Sequence, residues 1–448
     1  MNKECQAHKN PDKSSETMHY HASCGMQIPS LNATPSGERV RIGFFGVRNA
    51  GKSSLVNALC NQSVSVVSNV AGTTTDAVRK AMELLPLGPV EVVDTPGIDD
   101  AGQLGAKRVK QAREVLRSCN IAVLVVDATR GVCAADKCLI QQFDEVGVPY
   151  VIAQNKADAL SSKVSNTEHF TQNISTSNLQ CGNCKTAASV LVSARTGAGL
   201  DKLKALIARA GTNCINNKHV VADIVNPSRG PVVLVVPIDS SAPKGRIILP
   251  QQMVLRDLLD AHANVHACQP EELKQALKML PNTQLVITDS QVFERVANAV
   301  PASIALTSFS ILMARYKGNL NALVAGAKKL ESLTNNSRVL IAEGCTHHRQ
   351  CEDIGTVKLP AWVQKHCHAK PSFEFCSGRE FPSDVSKFDL VIHCGGCMLN
   401  AREMKWRQDT ANKCKVAMVN YGIAIAQVHG LLKRALEPLQ PKANTIEE

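Results

Sequence analysis

One short stretch narrows what this chain can become: Val40-Arg-Ile-Gly-Phe-Phe-Gly46 runs straight into Val-Arg-Asn-Ala-Gly51-Lys52-Ser53, and Lys52 to Leu59 reads as a helix. An apolar strand thus meets a glycine-bearing turn and then a helix amino terminus. The glycines let backbone amides face phosphate oxygens, and the helix end favours anions. Lys52 is placed to neutralise the β and γ phosphates, and Ser53 to ligate Mg²⁺. A nucleotide-binding α/β domain is expected, with Gly46, Asn49, Ala50, Gly51, Lys52, Ser53 and Ser54 around the phosphates.

Three further motifs follow in an order that decides the base. Asp94-Thr-Pro-Gly97 comes after the strand-like Val90–Val93, so Asp94 can reach Mg²⁺ while the Gly97 amide senses the γ-phosphate. Asn155-Lys156-Ala-Asp158 follows another apolar run. A carboxylate at Asp158 can accept both the N1–H and the exocyclic amine of guanine, a donor pair adenine lacks, which points to GTP and GDP. Ser193-Ala194-Arg195 then presents a backbone amide to the guanine oxygen. Ile98 stands after Gly97 where Ras-type enzymes carry a water-orienting glutamine, so slow intrinsic turnover is expected.

With these motifs in hand, residues about 40 to 210 resemble translation-factor-class GTPases of the TrmE and Era kind. Gly72-Thr-Thr74-Thr75-Asp76 resembles their switch I segment, with Thr75 where those proteins often carry arginine. The resemblance implies that Thr74 senses magnesium and that Asn49 ligates K⁺, which would stimulate hydrolysis. Lys52, Thr74, Asp94 and Gly97 form the expected catalytic group.

At 448 residues the chain exceeds one hydrophobic core, and three domains are expected. Residues 1–38 are polar and aperiodic and read as a disordered extension. Residues 39–214 carry alternating strands and helices, including Ile121–Val126, Tyr150–Ala153 and Val190–Val192, which implies a mainly parallel, doubly wound sheet. Residues 218–303 read as a second small α/β unit, with strands at Val232–Ile238 and Gln284–Thr288. Residues 304–448 read as a third, opening with helices through Leu333, with strands at Arg338–Ala342 and Leu390–His393 and a closing helix over Ile423–Leu436. The 4% aromatic content suits α/β cores of Leu, Val, Ile and Ala.

A net charge of +11 favours anionic partners, but no Gly-x-x-Gly loop with basic flanks follows residue 215, so nucleic acid is not expected as a partner. No apolar run is long enough for a membrane span. Seventeen cysteines, an odd number, argue for a reducing compartment, hence the cytoplasm, or an organelle such as a hydrogenosome or plastid if the first residues are a leader. Cys133, Cys138, Cys181 and Cys184 read as surface thiols.

Cys345-Thr-His347 follows one strand of the last third, and His393-Cys394-Gly-Gly-Cys397 follows another. If those strands are parallel, both loops reach one sheet edge, where three thiolates and one or two imidazoles can converge on a metal. Soft thiolates select zinc or an iron–sulfur cluster, and the residues alone leave both open. His348, His366, Cys367, His368 and Cys376 read as surface residues.

The spacing Cys-x-His, residues 348–392, then His-Cys-x-x-Cys resembles the signature of the HydF family of FeFe-hydrogenase maturation GTPases, as does Pro237 to Gln252. The likeness covers about residue 33 to the carboxy terminus. It implies a G domain followed by a dimerisation domain and a domain binding a four-iron, four-sulfur cluster, in a homodimer or a tetramer. Cys345, Cys394 and Cys397 would be the cluster thiolates, with His347 or His393 as candidates for the fourth position. The implied role is scaffold and carrier of the two-iron subcluster, received in concert with radical-SAM maturases and delivered to the FeFe-hydrogenase apoprotein. The alternative is a TrmE/Era-like GTPase of RNA modification or ribosome assembly with a structural metal site.

Overall fold

The structure, a computed structural model, describes residues 34, 36–61, 69–70, 78–97, 103–160, 188–212, 218–238, 247–344, 354–378 and 380–440. Among these residues the strands form three sheets. The first holds Val40–Phe45 (β1), Asn69–Val70 (β2), Val78–Leu84 (β3), Gly88–Asp94 (β4), Ile121–Asp127 (β5), Tyr150–Asn155 (β6) and Ala188–Leu191 (β7). Its order is β2-β3-β4-β1-β5-β6-β7, parallel from β4 to β7 and antiparallel at the β2 and β3 edge. β5 is buried along its whole length. Its unbroken apolar run Ile121–Val126 is what a strand covered on both faces requires. Helices Lys52–Asn61 and Leu200–Gly211 pack with one face, and Gln103–Ser118 and Ala134–Val146 with the other.

The second sheet contains Val232–Val235 (β8), Val265–Cys268 (β9), Leu285–Thr288 (β10) and Ala305–Ser308 (β11), and is parallel throughout in the order β11-β10-β8-β9. The third contains Arg338–Ala342 (β12), Ser372–Cys376 (β13), Leu390–His393 (β14) and Ala417–Asn420 (β15), parallel in the order β13-β12-β14-β15. The two sheets share one core, in which Val286 of the second and Phe293 of helix Phe293–Ala299 join Ile341 and Ile392 of the third and Ile425 of helix Tyr421–Val428.

Several expectations need correction. The division at residue 303 falls just before a strand of the second sheet, because Ala305–Ser308 pairs with Leu285–Thr288. The closing helix is broken into Tyr421–Val428 and Leu432–Leu436, since Gly430 takes a left-handed φ of +69° between them. The polar extension does not run to residue 38 as disordered chain. Ser36–Glu38 form a turn in which Gly37 is buried, and a Cβ there would lie 2.7 Å from the Cys397 carbonyl oxygen.

A buried ion pair staples the centre of the first sheet. Arg41 Nε donates to Glu91 Oε2 at 2.5 Å across β1 and β4, both side chains being under one-tenth exposed. Removing the carboxylate strands a guanidinium in the core. Glu91→Ala should therefore destabilise the first sheet and its helices by about 3–5 kcal/mol, measured as a lower urea midpoint for their unfolding; a change within error would show that the pair holds nothing.

Candidate functional site

The nucleotide motifs all emerge at the carboxyl ends of neighbouring parallel strands. Gly46 leaves β1 with φ +145°, and a Cβ there would lie 2.3 Å from the Val125 carbonyl oxygen, so only glycine fits against β5. Gly51 likewise has φ +89° and faces Asn155 Nδ2. Lys52 is buried, its ammonium donating to the carbonyls of Gly46 at 3.0 Å and Val47 at 2.8 Å. The loop is thereby held in the curl that phosphates would occupy. Gly97 packs directly on this loop, where a Cβ would come within 2.8 Å of the Arg48 Cα.

Ser53 Oγ donates to Asp94 Oδ2 at 2.5 Å. Burial pushes the Asp94 carboxyl pKa up, against the opposing pull of Ser53 and Lys52. Its other oxygen, Oδ1, is buried without a hydrogen-bond partner among the described residues. A hydroxyl and an unsatisfied carboxylate side by side fit the hard, oxygen-seeking Mg²⁺ that the fold implies. Thr74 lies outside the described residues.

The base-recognition loops are braced together. Asn155 Nδ2 donates to the Ala50 carbonyl at 3.0 Å while its Oδ1 accepts from the Ala194 amide at 3.1 Å, so one side chain ties the phosphate loop to the Ser193–Ala194 turn. Lys156 takes φ +66° and pairs with Asp127 at 2.6 Å. Asp127 was not foreseen, although its place at the end of β5 pointed to it. Asp158 accepts from Ser193 Oγ at 2.5 Å and pairs with the largely exposed Arg195 at 2.7 Å. The Ser193 hydrogen bond leads in holding its carboxyl below the usual range, so it is ionised and ready to accept guanine donors.

In the third sheet, β12 and β14 are adjacent and parallel, with Ala342 opposite His393. The chain turns from β12 to β13 on one side and to β14 on the other. A reversal of this kind at the carboxyl edge is the usual place for a site in open parallel sheets. Cys394, half-buried, begins the turn at this edge and accepts N–H groups from Gly344 at 3.0 Å and Gly396 at 3.4 Å. Burial nevertheless pushes its thiol up to about 11. Cys397 follows on the same turn, which Gly396 allows with φ +62°. Cys345, His347 and His348 lie outside the described residues, but Gly344, whose amide meets the Cys394 sulfur, immediately precedes Cys345. Among the described residues no group of three or more His, Cys, Asp and Glu converges as a metal site.

His393, the other candidate for the fourth position, has both ring nitrogens engaged within the protein. It is fully buried, with Nδ1 2.8 Å from the Cys394 carbonyl oxygen and Nε2 2.9 Å from Arg407 Nη1. A carbonyl only accepts and a guanidinium only donates, so Nδ1 carries the proton and both ring nitrogens are used. Burial, reinforced by Arg407, lowers its pKa to about 3. Cys376 ends β13 opposite Ala342 and so sits half-buried on the cysteine edge, not on the surface. His366, Cys367 and His368 precede β13 and fall at the opposite edge.

The comparisons can now be set beside this geometry. Residues 220–318 match the hydrogen maturase F dimerization domain, residues 321–438 match the hydrogen maturase F tetramerization domain, and residues 41–156 match the 50S ribosome-binding GTPase domain. The chain belongs to the hydrogen maturase F family. Its first region is a GTPase domain, and the two that follow correspond to the family's assembly domains. GTPase Der of Levilactobacillus brevis is 31% identical over 204 residues, 45% of this chain and 46% of that protein. The tRNA modification GTPase MnmE of Laribacter hongkongensis is 31% identical over 177 residues, 39% of this chain and 35% of that protein. The chain thus spans less than half the length of these curated relatives. Among solved structures, Aquifex aeolicus Era aligns at 18% identity and TM-score 0.32 over 54% of this chain and 98% of that one. Among the described residues no helix is long and apolar enough to cross a membrane.

Asp158 is the carboxylate expected to accept the guanine donors. Asp158→Asn should weaken GDP binding on the order of 100-fold or more, because a guanine donor then meets an amide, and should admit xanthosine diphosphate. Calorimetric titration with both nucleotides checks this; unchanged GDP affinity would remove Asp158 from base recognition.

Proposed function

We propose that this chain is a GTP-hydrolysing maturation factor that holds a four-iron, four-sulfur cluster on Cys345, Cys394 and Cys397 and carries the two-iron subcluster of the H-cluster to apo FeFe-hydrogenase. The observation that carries this is the Cys394 sulfur, seated at the reversal point of a parallel sheet and accepting two backbone N–H groups, one from the residue before Cys345. Such N–H donors stabilise sulfur charge, and three thiolates leave one iron position open to exchange. Bound there, the cluster would supply an iron site for bridging the cargo. The radical-SAM maturases and the hydrogenase are the partners this role requires. A homodimer built through the second region, assembling further through the third, is the quaternary state that the two matched domains favour.

The nucleotide acts at a distance from the cysteines. Lys52, Asp94 and Ser53 hold the phosphates and Mg²⁺, and Gly97, packed on the phosphate loop, reports the γ-phosphate to the chain beyond it. Asn49, in a left-handed conformation at φ +64°, is read as the K⁺ ligand. Hydrolysis measured in K⁺ should exceed that in Na⁺ severalfold; equal rates would remove K⁺ from the mechanism.

The cluster is tested by absorption and EPR spectra of anaerobically reconstituted protein beside Cys394→Ser and Cys397→Ser. A broad band near about 400 nm and a reduced-state EPR signal, both lost in the variants, are expected from thiolate ligation of iron. Colourless protein with stoichiometric zinc would sink the carrier reading and favour a GTPase with a structural metal.

A further inference from the structure

The cysteine turn rests on a buried cation that no sequence motif announces. Lys317, the last residue of helix Phe309–Lys317, is 1% exposed at its side chain. Its ammonium donates to the carbonyl oxygens of Leu399 at 2.7 Å, Cys397 at 3.0 Å and Gly396 at 3.3 Å, and pairs with Glu38 at 3.0 Å. Glu38 is held in turn by the Tyr316 hydroxyl at 3.0 Å. Three carbonyl dipoles converging on one point repel unless a cation sits there, and an ammonium has three donors to give.

We propose that Lys317 is a positioning residue for metal binding by the Cys394–Cys397 turn, with Glu38 setting its orientation; this rests on the metal reading above. With the carbonyls of Gly396, Cys397 and Leu399 drawn to the Lys317 side, the opposite side of the turn is left to N–H groups and sulfur. The Gly396 amide then points to Cys394 Sγ. The ammonium also places a fixed positive charge behind the thiolates, in a medium where charge is weakly screened. That charge favours the more reduced, more negative state of a bound cluster, and Glu38 opposes it. Lys317 thus touches neither metal nor cargo, yet governs how tightly the turn binds and at what potential it is reduced.

The test uses the full chain with Lys317→Met, Lys317→Arg and Glu38→Gln. Co²⁺ is titrated anaerobically into apo protein and followed by its thiolate charge-transfer band, with GDP affinity as the control for folding. Lys317→Met should lower Co²⁺ affinity by about 10–100-fold, the usual loss for residues that orient ligands, and leave GDP binding unchanged. In reconstituted protein the midpoint potential should move negative in Lys317→Met, positive in Glu38→Gln and stay near wild type in Lys317→Arg. A purely structural lysine would not produce shifts of opposite sign. Wild-type Co²⁺ binding that Lys317→Met leaves unaltered in affinity, with unaltered potential, overturns this inference alone. Absence of any thiolate band in wild type overturns the metal reading and this inference with it. Should Lys317→Met also lose GDP binding, Glu38→Gln decides: a positive shift supports the charge argument and an unmoved potential refutes it.

Discussion

Parallel pairing obliges neighbouring strands to leave a sheet at a common edge, and nearly all the chemistry assigned to this chain follows from that constraint. In the first sheet, β1, β4, β5 and β6 deliver Gly46–Ser53, Asp94–Gly97, Asp127 and Asn155–Asp158 to one rim. In the third, β12 and β14 deliver Gly344 and Cys394 to another. Linear motifs far apart in sequence become neighbours because hydrogen-bond register leaves them no alternative. Burial on both faces holds that register, since a one-residue slip would turn the apolar side chains of β5 or β14 out of place.

The two loops are supported by the same device put to different ends. Lys52 folds back on the carbonyls of its own loop, an arrangement that incoming phosphates can compete with because anions attract an ammonium more strongly than carbonyls do. Lys317 is closed in by Glu38 and by carbonyls from a different segment. One lysine is poised for exchange and the other is permanent. Arg407 repeats the permanent kind, since its guanidinium reaches His393, Glu403 and the Gly378 carbonyl from within the core.

What was legible in the sequence was whatever is local. Ile121–Val126 is an unbroken apolar run and declared itself a buried strand; the nucleotide residues form contiguous strings whose spacing is their geometry. β3 was missed because Val78-Arg-Lys-Ala-Met-Glu-Leu84 is an edge-side strand with polar residues on its outer face, and β9 because Val265–Cys268 is short and half-exposed. In the site, Cys394 and Cys397 were readable as a pair, whereas His393 looked like a ligand until burial and Arg407 accounted for both its nitrogens. Lys317 left no trace, because its carbonyl partners lie about 80 positions along the chain and Glu38 lies far upstream, and only packing brings them together.

The contacts that join the first region to the third bear on how such a protein can be divided. Helix Ala401–Lys413 starts two residues past Leu399 with Asn400 as its cap, and the same Asn400 side chain donates to the Ser118 carbonyl at the end of helix Gln103–Ser118. Beside it, the Arg117 guanidinium lies 4.3 Å over the Trp406 ring, and Arg402 reaches the carbonyls of Val146 and Gly147. A cap that is also a tether gives the cysteine turn and the G domain a shared wall. The chain therefore reads as three modules by sequence but as a single load path by contact, and a G domain transplanted from a relative would need its own counterpart of Arg117, and a helix end whose last carbonyl sits where that of Ser118 does, before the turn behind Trp406 could settle.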